Sequence, residues 1–135
     1  MAMDAVLTTC VYCGCGCGCY LNVEGRRVVG SSPSRNHPVS KNNLCLKGWH
    51  LHEMIHHPHR LTMPLVKKNG RLVETSWEEA LNHAAAGLGK CLDQHGGEGM
   101  GVLASAKCTN EENYLLQKLA RAVVGTNNVD HCARL

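Results

Sequence analysis

The chain has 135 residues, which is enough for one domain of ordinary size and too few for two full ones. Its formal net charge is only +3 and aromatic residues make up 4% of it, so the sequence gives no indication of nucleic-acid binding, which favours basic stripes with interleaved aromatics. No apolar run approaches the roughly 20 residues that span a bilayer, so no transmembrane segment is expected.

The cysteine content indicates a metal site. Residues 1–9 contain neither the basic segment and apolar core of a secretory signal nor a twin-arginine motif, so we expect a cytoplasmic location. Nine cysteines in a cytoplasmic chain favour metal binding over disulfides, and an odd number cannot be fully paired internally.

The first part of the chain is predicted to be rich in loops and short strands. Residues 5–9 are a strand candidate that leads into the first cysteine. Two short apolar segments, Leu21 with Val23 and Val28 with Val29, lie on either side of Glu24-Gly25-Arg26. This pattern is typical of a β-hairpin.

A turn-rich segment and a short helix follow. Residues 31–38 contain many turn formers and would return the chain toward Cys45. A short helix is expected over residues 47–55, and His57-Pro58 would end it because proline disfavours a helical residue before it.

The second half opens with a hairpin and a long amphipathic helix. The apolar pairs at 65–66 and 72–73 surround Asn69-Gly70, which suits a type I′ turn. Ser76 and Glu79 fit a capping box at a helix start, and Gly96-Gly97 ends the helical pattern. Apolar side chains recur at helical spacing and are predicted to form a buried face: Trp77, Ala80, Leu81, Ala84, Ala85, Leu88, Cys91 and Leu92.

A strand candidate and a second helix complete the chain. Residues 100–105 read as a buried strand, and Thr109 with Glu112 forms a second capping box. Gly125 ends this helix, and residues 129–135 are predicted to be a strand end or a loop. Its predicted buried face consists of Leu115, Leu116, Leu119, Ala122 and Val123.

The order of elements predicts a fold between α+β and α/β. Helix, strand, helix and strand in succession are the opening of an α/β layer, but a parallel sheet covered on both faces needs more strands than these. We therefore predict a small cysteine-rich region of loops and hairpins at residues 1–60. An incomplete first part of an α/β domain is expected at residues 61–135.

Five cysteines crowd into residues 10–19, and Cys45 follows later. They contain a C-x2-C-x3-C-x27-C frame formed by Cys10, Cys13, Cys17 and Cys45. Three thiolates from one tight loop and a fourth from elsewhere suit a [4Fe–4S] cluster, which four cysteines hold. The glycines that alternate with these cysteines let the loop fold sharply and direct its N–H groups at the sulfides.

The spacing alone leaves alternatives open. Cys15 competes with Cys17 for the third place in the loop, and local geometry does not decide between them. A zinc site would join Cys10 and Cys13 to a later cysteine or histidine pair. The candidate histidines are His37, His50, His52, His56, His57 and His59. Ordinary core cysteines are disfavoured, because five in ten residues is too dense for that use.

The cysteine frame and the residues after it resemble a known family. The frame followed by Leu46-Lys47-Gly48 is similar to the amino-terminal cluster motif of the molybdenum or tungsten bis-pterin oxidoreductases. Residues 60–65, 75–80 and 104–114 are most similar to cytoplasmic formate dehydrogenases, and the resemblance runs along the whole chain. Periplasmic nitrate reductases share the frame but match residues 104–114 less well.

The resemblance implies roles for individual residues. The four cysteines of the frame, with Cys17 rather than Cys15, would bind [4Fe–4S]. Lys47 would lie between the cluster and a pterin and relay electrons. Lys107, Asn110 and Glu111 would lie near the pterin. The complete subunit would hold a Mo- or W-bis(pterin guanine dinucleotide) cofactor.

The resemblance also implies a function. Residues 1–60 would be the cluster-binding region, and residues 61–135 the first part of the pterin-binding domain, of an anaerobic formate dehydrogenase or CO2 reductase catalytic subunit. Its partners would be the remainder of that subunit and iron–sulfur subunits, including a hydrogenase or an NAD(P)- or ferredoxin-linked subunit. The alternatives are a stand-alone iron–sulfur electron-transfer module and a nitrate-reductase-like relative.

The end of the sequence carries its own expectation. In the family, a selenocysteine or cysteine that binds the metal directly follows a stretch like residues 129–135. Because the selenocysteine codon ordinarily means stop, we expect a selenoprotein whose sequence ends where that codon was read as termination. A small natural subunit or an arbitrary end point is the alternative. Without that ligand, the 135 residues alone are expected to be inactive.

Overall fold

The computed structural model describes residues 3–132, which form short helices and small sheets, as expected for an α+β protein. These residues divide into two compact units. The first takes its described residues from Met1–Arg60, Ala104–Leu116 and His131–Leu135, and the second consists of Leu61–Leu103 and Gln117–Asp130. Along the described part of the chain, no helix is both long and apolar enough to cross a membrane.

The first unit contains a three-stranded antiparallel sheet in the order β1-β2-β3. The strands are β1 (Met3–Thr9), β2 (Gly18–Glu24) and β3 (Arg27–Pro33). Gly25, with φ +60, supplies the left-handed residue of the turn between β2 and β3. The strand before the cysteines and the hairpin after them are thus confirmed.

Two short helices lie in the place of the single helix expected over residues 47–55. They are α1 (Leu46–Trp49) and α2 (Leu51–Ile55). The helix is interrupted at His50, whose φ of −102 and ψ of 13 depart from helical values. Beside this break, the hydroxyl of Ser31 lies 2.9 Å from the carbonyl oxygen of Gly48 and 2.7 Å from that of Trp49. Contacts with β3 therefore take part in shaping this segment, which local helix signals cannot predict.

The core of the first unit is small and built around cysteine. Cys10, Cys19 and Leu51 are buried together, and Cys19 is fully buried. Partly buried side chains surround them: Tyr12, Cys17, Leu21, Leu44 and Met54. Two cysteines of the frame therefore belong to this core region: Cys10 is buried in it and Cys17 packs against it.

The second unit begins with the predicted hairpin and long helix. Strands β4 (Leu65–Lys68) and β5 (Arg71–Glu74) pair around Asn69 and Gly70. Both turn residues have positive φ, 50 and 81, which is the type I′ geometry that Asn-Gly predicts. Helix α3 (Trp77–His95) begins where the Ser76 hydroxyl accepts the N–H of Glu79 at 3.1 Å, and Gly96 follows its last turn.

The remaining elements follow the predicted order. After a 3-10 turn (Gly97–Gly99) come β6 (Val102–Ser105), α4 (Asn110–Lys118), a π-helical turn (Leu119–Val124) and β7 (Val129–Cys132). β6 and β7 are hydrogen-bonded to each other, and residues 133–135, part of the predicted final segment, lie outside the described residues.

The prediction of buried helix faces is wrong for α3. None of its side chains is buried, and Trp77, Leu81 and Leu88 are 65%, 62% and 49% exposed. Leu115 and Val123 of the second helical segment are exposed as well. The helical spacing correctly predicts a helix, but burial requires a covering element, and the described residues of the second unit bury few apolar side chains.

Candidate metal centre

The first three cysteines of the frame lie in the connection between β1 and β2. Thr9 pairs with Gly18 across the two strands, and the N–H of Cys10 donates to the carbonyl oxygen of Cys17 at 2.8 Å. These contacts close a tight loop over residues 10–17. Gly16 has φ +60, a backbone geometry that suits glycine and disfavours other residues. The loop therefore has the sharp bend that its glycines predict.

The cysteines of this loop differ in exposure. Cys10 is buried, Cys13 and Cys17 are half-buried, and Cys15 is exposed. Cys19 lies beyond the loop in β2 and is fully buried in the core. Cys19 is therefore part of the core beside Cys10.

The four loop thiols share one electrostatic environment. The pKa of Cys17 is raised to about 11, first by burial and then by a hydrogen bond with the Cys15 thiol and the charges of Cys15, Cys10 and Cys13. Each thiolate therefore opposes the ionisation of Cys17, and bound cations would offset that repulsion. Such crowding of thiols is what a metal–sulfur site requires.

Cys45 has the opposite electrostatic environment. It occupies the N-cap position of α1 and is exposed. The backbone N–H groups of Gly48 and Lys47 and the charge of Lys47 lower the pKa of the Cys45 thiol, although burial acts against them. These surroundings favour the thiolate of Cys45, the form that binds iron.

The described residues present their metal-binding side chains separately. Among residues 3–132, no group of three or more His, Cys, Asp or Glu side chains is arranged to hold one metal ion. A [4Fe–4S] cluster instead takes four thiolates on one larger body. Cys10, Cys13 and Cys15 contribute to the pKa shift of Cys17, whereas Cys45 does not.

The residues that the resemblance places near the pterin have different surroundings. Lys47 is half-buried, and its backbone N–H lowers the pKa of the Cys45 thiol. The side chains of Lys107 and Glu111 are exposed. The side-chain amide of Asn110 donates to the carbonyl oxygen of Gly14 at 2.8 Å, within the first unit. Asn110 is therefore next to the cysteine loop.

Several residues support the site without a signal in the sequence that predicts this role. Ser31 is buried and lies against the carbonyl groups of α1, just after Cys45. The ring of His37 lies so close to Gly18 that a Cβ atom there would collide with it, and Ser40 donates its N–H to His37 Nδ1 at 3.3 Å.

Comparison with known families identifies the class of protein. Residues 60–135 match the family model of molybdopterin oxidoreductases, and residues 3–57 match that of the molybdopterin oxidoreductase Fe4S4 domain. The chain belongs to the molybdopterin oxidoreductase family. The two cofactors predicted from the sequence, a [4Fe–4S] cluster and a molybdopterin cofactor, are confirmed by these two matches.

The individual relatives are formate dehydrogenase alpha subunits. The chain is 50% identical, over all of its 135 residues, to the F420-dependent formate dehydrogenase 1 subunit alpha of Methanococcus maripaludis. It is 47% identical, again over its full length, to the F420-dependent formate dehydrogenase subunit alpha of Methanocaldococcus jannaschii. In both comparisons the chain spans 19% of the relative's length. The resemblance to formate dehydrogenase catalytic subunits is thereby confirmed.

Proposed function

We propose that this chain is the cluster-carrying part of the catalytic subunit of a formate dehydrogenase, or of a CO2 reductase that uses the same chemistry. The observation that carries the proposal is a closed loop of four crowded thiols in the same unit as Cys45, which occupies the N-cap of α1 and whose pKa the neighbouring backbone N–H groups lower. The identity to formate dehydrogenase alpha subunits supports formate as the substrate.

Cys10, Cys13, Cys17 and Cys45 would hold the [4Fe–4S] cluster. When bound, the metal–pterin centre supplies the two-electron chemistry of formate and CO2, and the cluster stores electrons one at a time. Cys15 would stand beside the ligands, since its thiol is exposed and hydrogen-bonded to Cys17.

Lys47 would favour electron arrival at the cluster. Its backbone N–H and its charge already stabilise the Cys45 thiolate. Positive charge and N–H donors near sulfur favour a more negative, reduced cluster. The prediction that Lys47 relays electrons, and that Lys107, Asn110 and Glu111 lie near the pterin, remains part of this proposal.

The domain organisation and assembly are proposals as well. Residues 1–60 would be the cluster-binding region, and residues 61–135 the beginning of an α/β layer that binds the pterin. The metal would be molybdenum or tungsten, in a cytoplasmic enzyme. The partners would be the rest of the subunit and iron–sulfur subunits that pass electrons onward.

Metal analysis and a formate assay test the proposal. We expect about four irons per chain and an absorbance shoulder near about 400 nm that dithionite bleaches. In the complete enzyme we expect molybdenum or tungsten, and formate-dependent reduction of a viologen dye or of F420. A protein that binds zinc and no iron after anaerobic purification would refute the proposal, since zinc has no redox chemistry.

A stand-alone electron-transfer module is the second candidate. It requires only the loop of crowded thiols and Cys45, which all lie in the first unit. About four irons with neither molybdenum nor tungsten in the native protein would support this alternative.

A further inference from the structure

The side chain of Asn110 reaches the cysteine loop from far along the chain. Its amide nitrogen donates to the carbonyl oxygen of Gly14 at 2.8 Å across a separation of 96 residues. Gly14 lies between Cys13 and Cys15, so this hydrogen bond holds the middle of the loop. Both residues belong to the first unit.

The contact is sterically close as well as polar. A Cβ atom added at Gly14 would collide with the Asn110 carboxamide, whose Cγ would lie 3.2 Å away. Gly14 does not have positive φ, so its backbone alone does not require glycine. A methyl group at position 14 would therefore push the Asn110 carboxamide out of its place against the loop.

Asn110 is itself held in place. It is the first residue of α4 and lies inside the capping box, directly after Thr109 and two residues before Glu112. In that box the N–H of Thr109 donates to Glu112 Oε2 at 2.7 Å, and the N–H of Glu112 donates to Thr109 Oγ1 at 3.2 Å. Asn113, one turn on, donates to the carbonyl oxygen of Ser105 at 3.2 Å. A well-anchored helix end thus presents the amide to the loop.

We propose that Asn110 is a positioning residue for the cluster: its amide fixes Gly14, so that Cys13 and Cys17 keep the arrangement in which they bind iron. The inference rests on the proposed cluster site. Its physical basis is that a hydrogen bond to the loop carbonyl both restrains the backbone and polarises the following peptide, whose N–H belongs to Cys15. Hydrogen bonding and solvent exposure at the sulfurs set a cluster's potential.

The first test is Asn110→Ala in the full chain. Because Asn110 and Gly14 are exposed, the substitution opens no buried cavity and the protein should fold. We expect iron loss to a chelator to be roughly fivefold faster, the factor that corresponds to one net hydrogen bond. The cluster's midpoint potential should become more negative. In the cluster-free protein, iodoacetamide should alkylate Cys13 faster.

The matched control is Asn128→Ala. Asn128 is also an exposed asparagine whose amide donates to backbone carbonyls, those of Glu98 and Met100, but it does so within the second unit. This variant should retain wild-type iron loss and potential. Equal effects of the two substitutions would overturn the inference.

The second test uses the steric contact. Gly14→Ala alone should speed iron loss, because the new methyl group collides with Asn110. In the double variant Gly14→Ala with Asn110→Ala the collision is relieved, so iron loss should be no faster than in Asn110→Ala. Additive effects would show that the two residues act independently and would overturn the inference.

The outcomes separate this inference from the proposed function. A wild-type protein that binds no iron would refute the cluster site itself. A wild-type protein with about four irons whose retention and potential are unchanged by Asn110→Ala would refute only the positioning role.

Discussion

At the scale of single residues, the cysteines of the frame differ in acidity before any metal is bound. Backbone N–H groups at the start of α1 lower the pKa of Cys45, whereas burial, together with the neighbouring thiols, raises that of Cys17 to about 11. Burial also raises the pKa of Cys19. Cys45 would therefore be the first of these three to offer a thiolate as the pH rises, and the others would ionise later.

Alkylation of the cluster-free protein tests this order. As pH rises from about 6 to about 9, we expect iodoacetamide to label Cys45 at lower pH than Cys17, because only the thiolate reacts and the pKa of Cys45 is lowered while that of Cys17 is raised. Peptide mass spectrometry after short pulses gives the order. Cys15 is the internal control, since it is exposed and lies beside Cys17. Faster labelling of Cys17 than of Cys45 would contradict the described electrostatics.

The choice of ligands is tested by substitution. Cys45→Ala should abolish stable cluster assembly, whereas Cys15→Ala should leave about four irons per chain. Iron content and the visible spectrum of anaerobically purified protein measure both. If Cys17→Ala kept the cluster and Cys15→Ala lost it, the frame would be wrongly assigned.

Ser31 links the sheet to the helix that follows Cys45. Ser31→Ala would leave the carbonyl groups of Gly48 and Trp49 without that donor, at a cost of about 1–2 kcal/mol in the free energy of unfolding. Urea unfolding measures it. The neighbouring Ser32→Ala is the control, since Ser32 is half-buried where Ser31 is buried. Equal losses in the two variants would show that the contact with α1 contributes nothing.

At the scale of elements, a salt bridge joins the first hairpin of the second unit to α3. Lys68 Nζ lies 2.5 Å from Glu79 Oε1, and Thr75 Oγ1 donates to the same carboxylate. The hydrogen bond from Lys68, followed by that from Thr75, lowers the pKa of the Glu79 carboxyl. The carboxylate that stabilises this junction is therefore charged over an extended range of pH.

The contribution of Glu79 to the stability of the fold depends on pH. Because the folded-state pKa of Glu79 is depressed, its contribution is present above the unfolded carboxyl pKa of about 4.3 and is lost as pH falls through the folded value. We expect Glu79→Gln to lower the melting temperature at neutral pH, and the gap to wild type to close in acid. Thermal melts at several pH values measure it, with Glu78→Gln as the control. A gap that widened in acid would contradict the assignment.

At the same scale, local sequence patterns predict where turns and helix starts lie, but they do not predict where a helix is interrupted. The Asn69-Gly70 turn and the Ser76 cap involve residues within four positions of each other, so the sequence alone specifies them. The interruption at His50 coincides with contacts from Ser31, 17 and 18 residues from the carbonyls it meets. Such pairings leave no periodic signal in the sequence.

At the scale of the whole molecule, the contacts that hold the cysteine loop could not be predicted from the sequence. The spacing and the family resemblance predict the frame of Cys10, Cys13, Cys17 and Cys45. The contact of Asn110 with Gly14 joins residues 96 positions apart, and no alternation or capping rule connects them. The burial of the helix side chains could not be predicted either, because helical spacing shows which side chains share a face and not what covers that face.

The exposed apolar face of α3 has a measurable consequence. Leu81 and Leu88 are 62% and 49% exposed, so the purified chain should bind a hydrophobic dye such as ANS. Leu81→Lys with Leu88→Lys should reduce dye fluorescence at least about twofold without loss of helical circular dichroism. Asn82→Lys on the same helix is the control. Unchanged fluorescence in the double variant would place the dye site elsewhere.

The pairing of β1 with β2 fixes the positions of the two ends of the cysteine loop. Thr9 faces Gly18 and Thr8 faces Cys19, so the ends of the loop are fixed by the strands that carry it. Successive strand residues point to opposite faces, and a slip of β2 by one position would turn Cys19 out of the core. A single residue inserted near residue 20 should therefore disturb thiols that it never touches, whereas an insertion at Gly25, in the far turn of the next hairpin, should be tolerated.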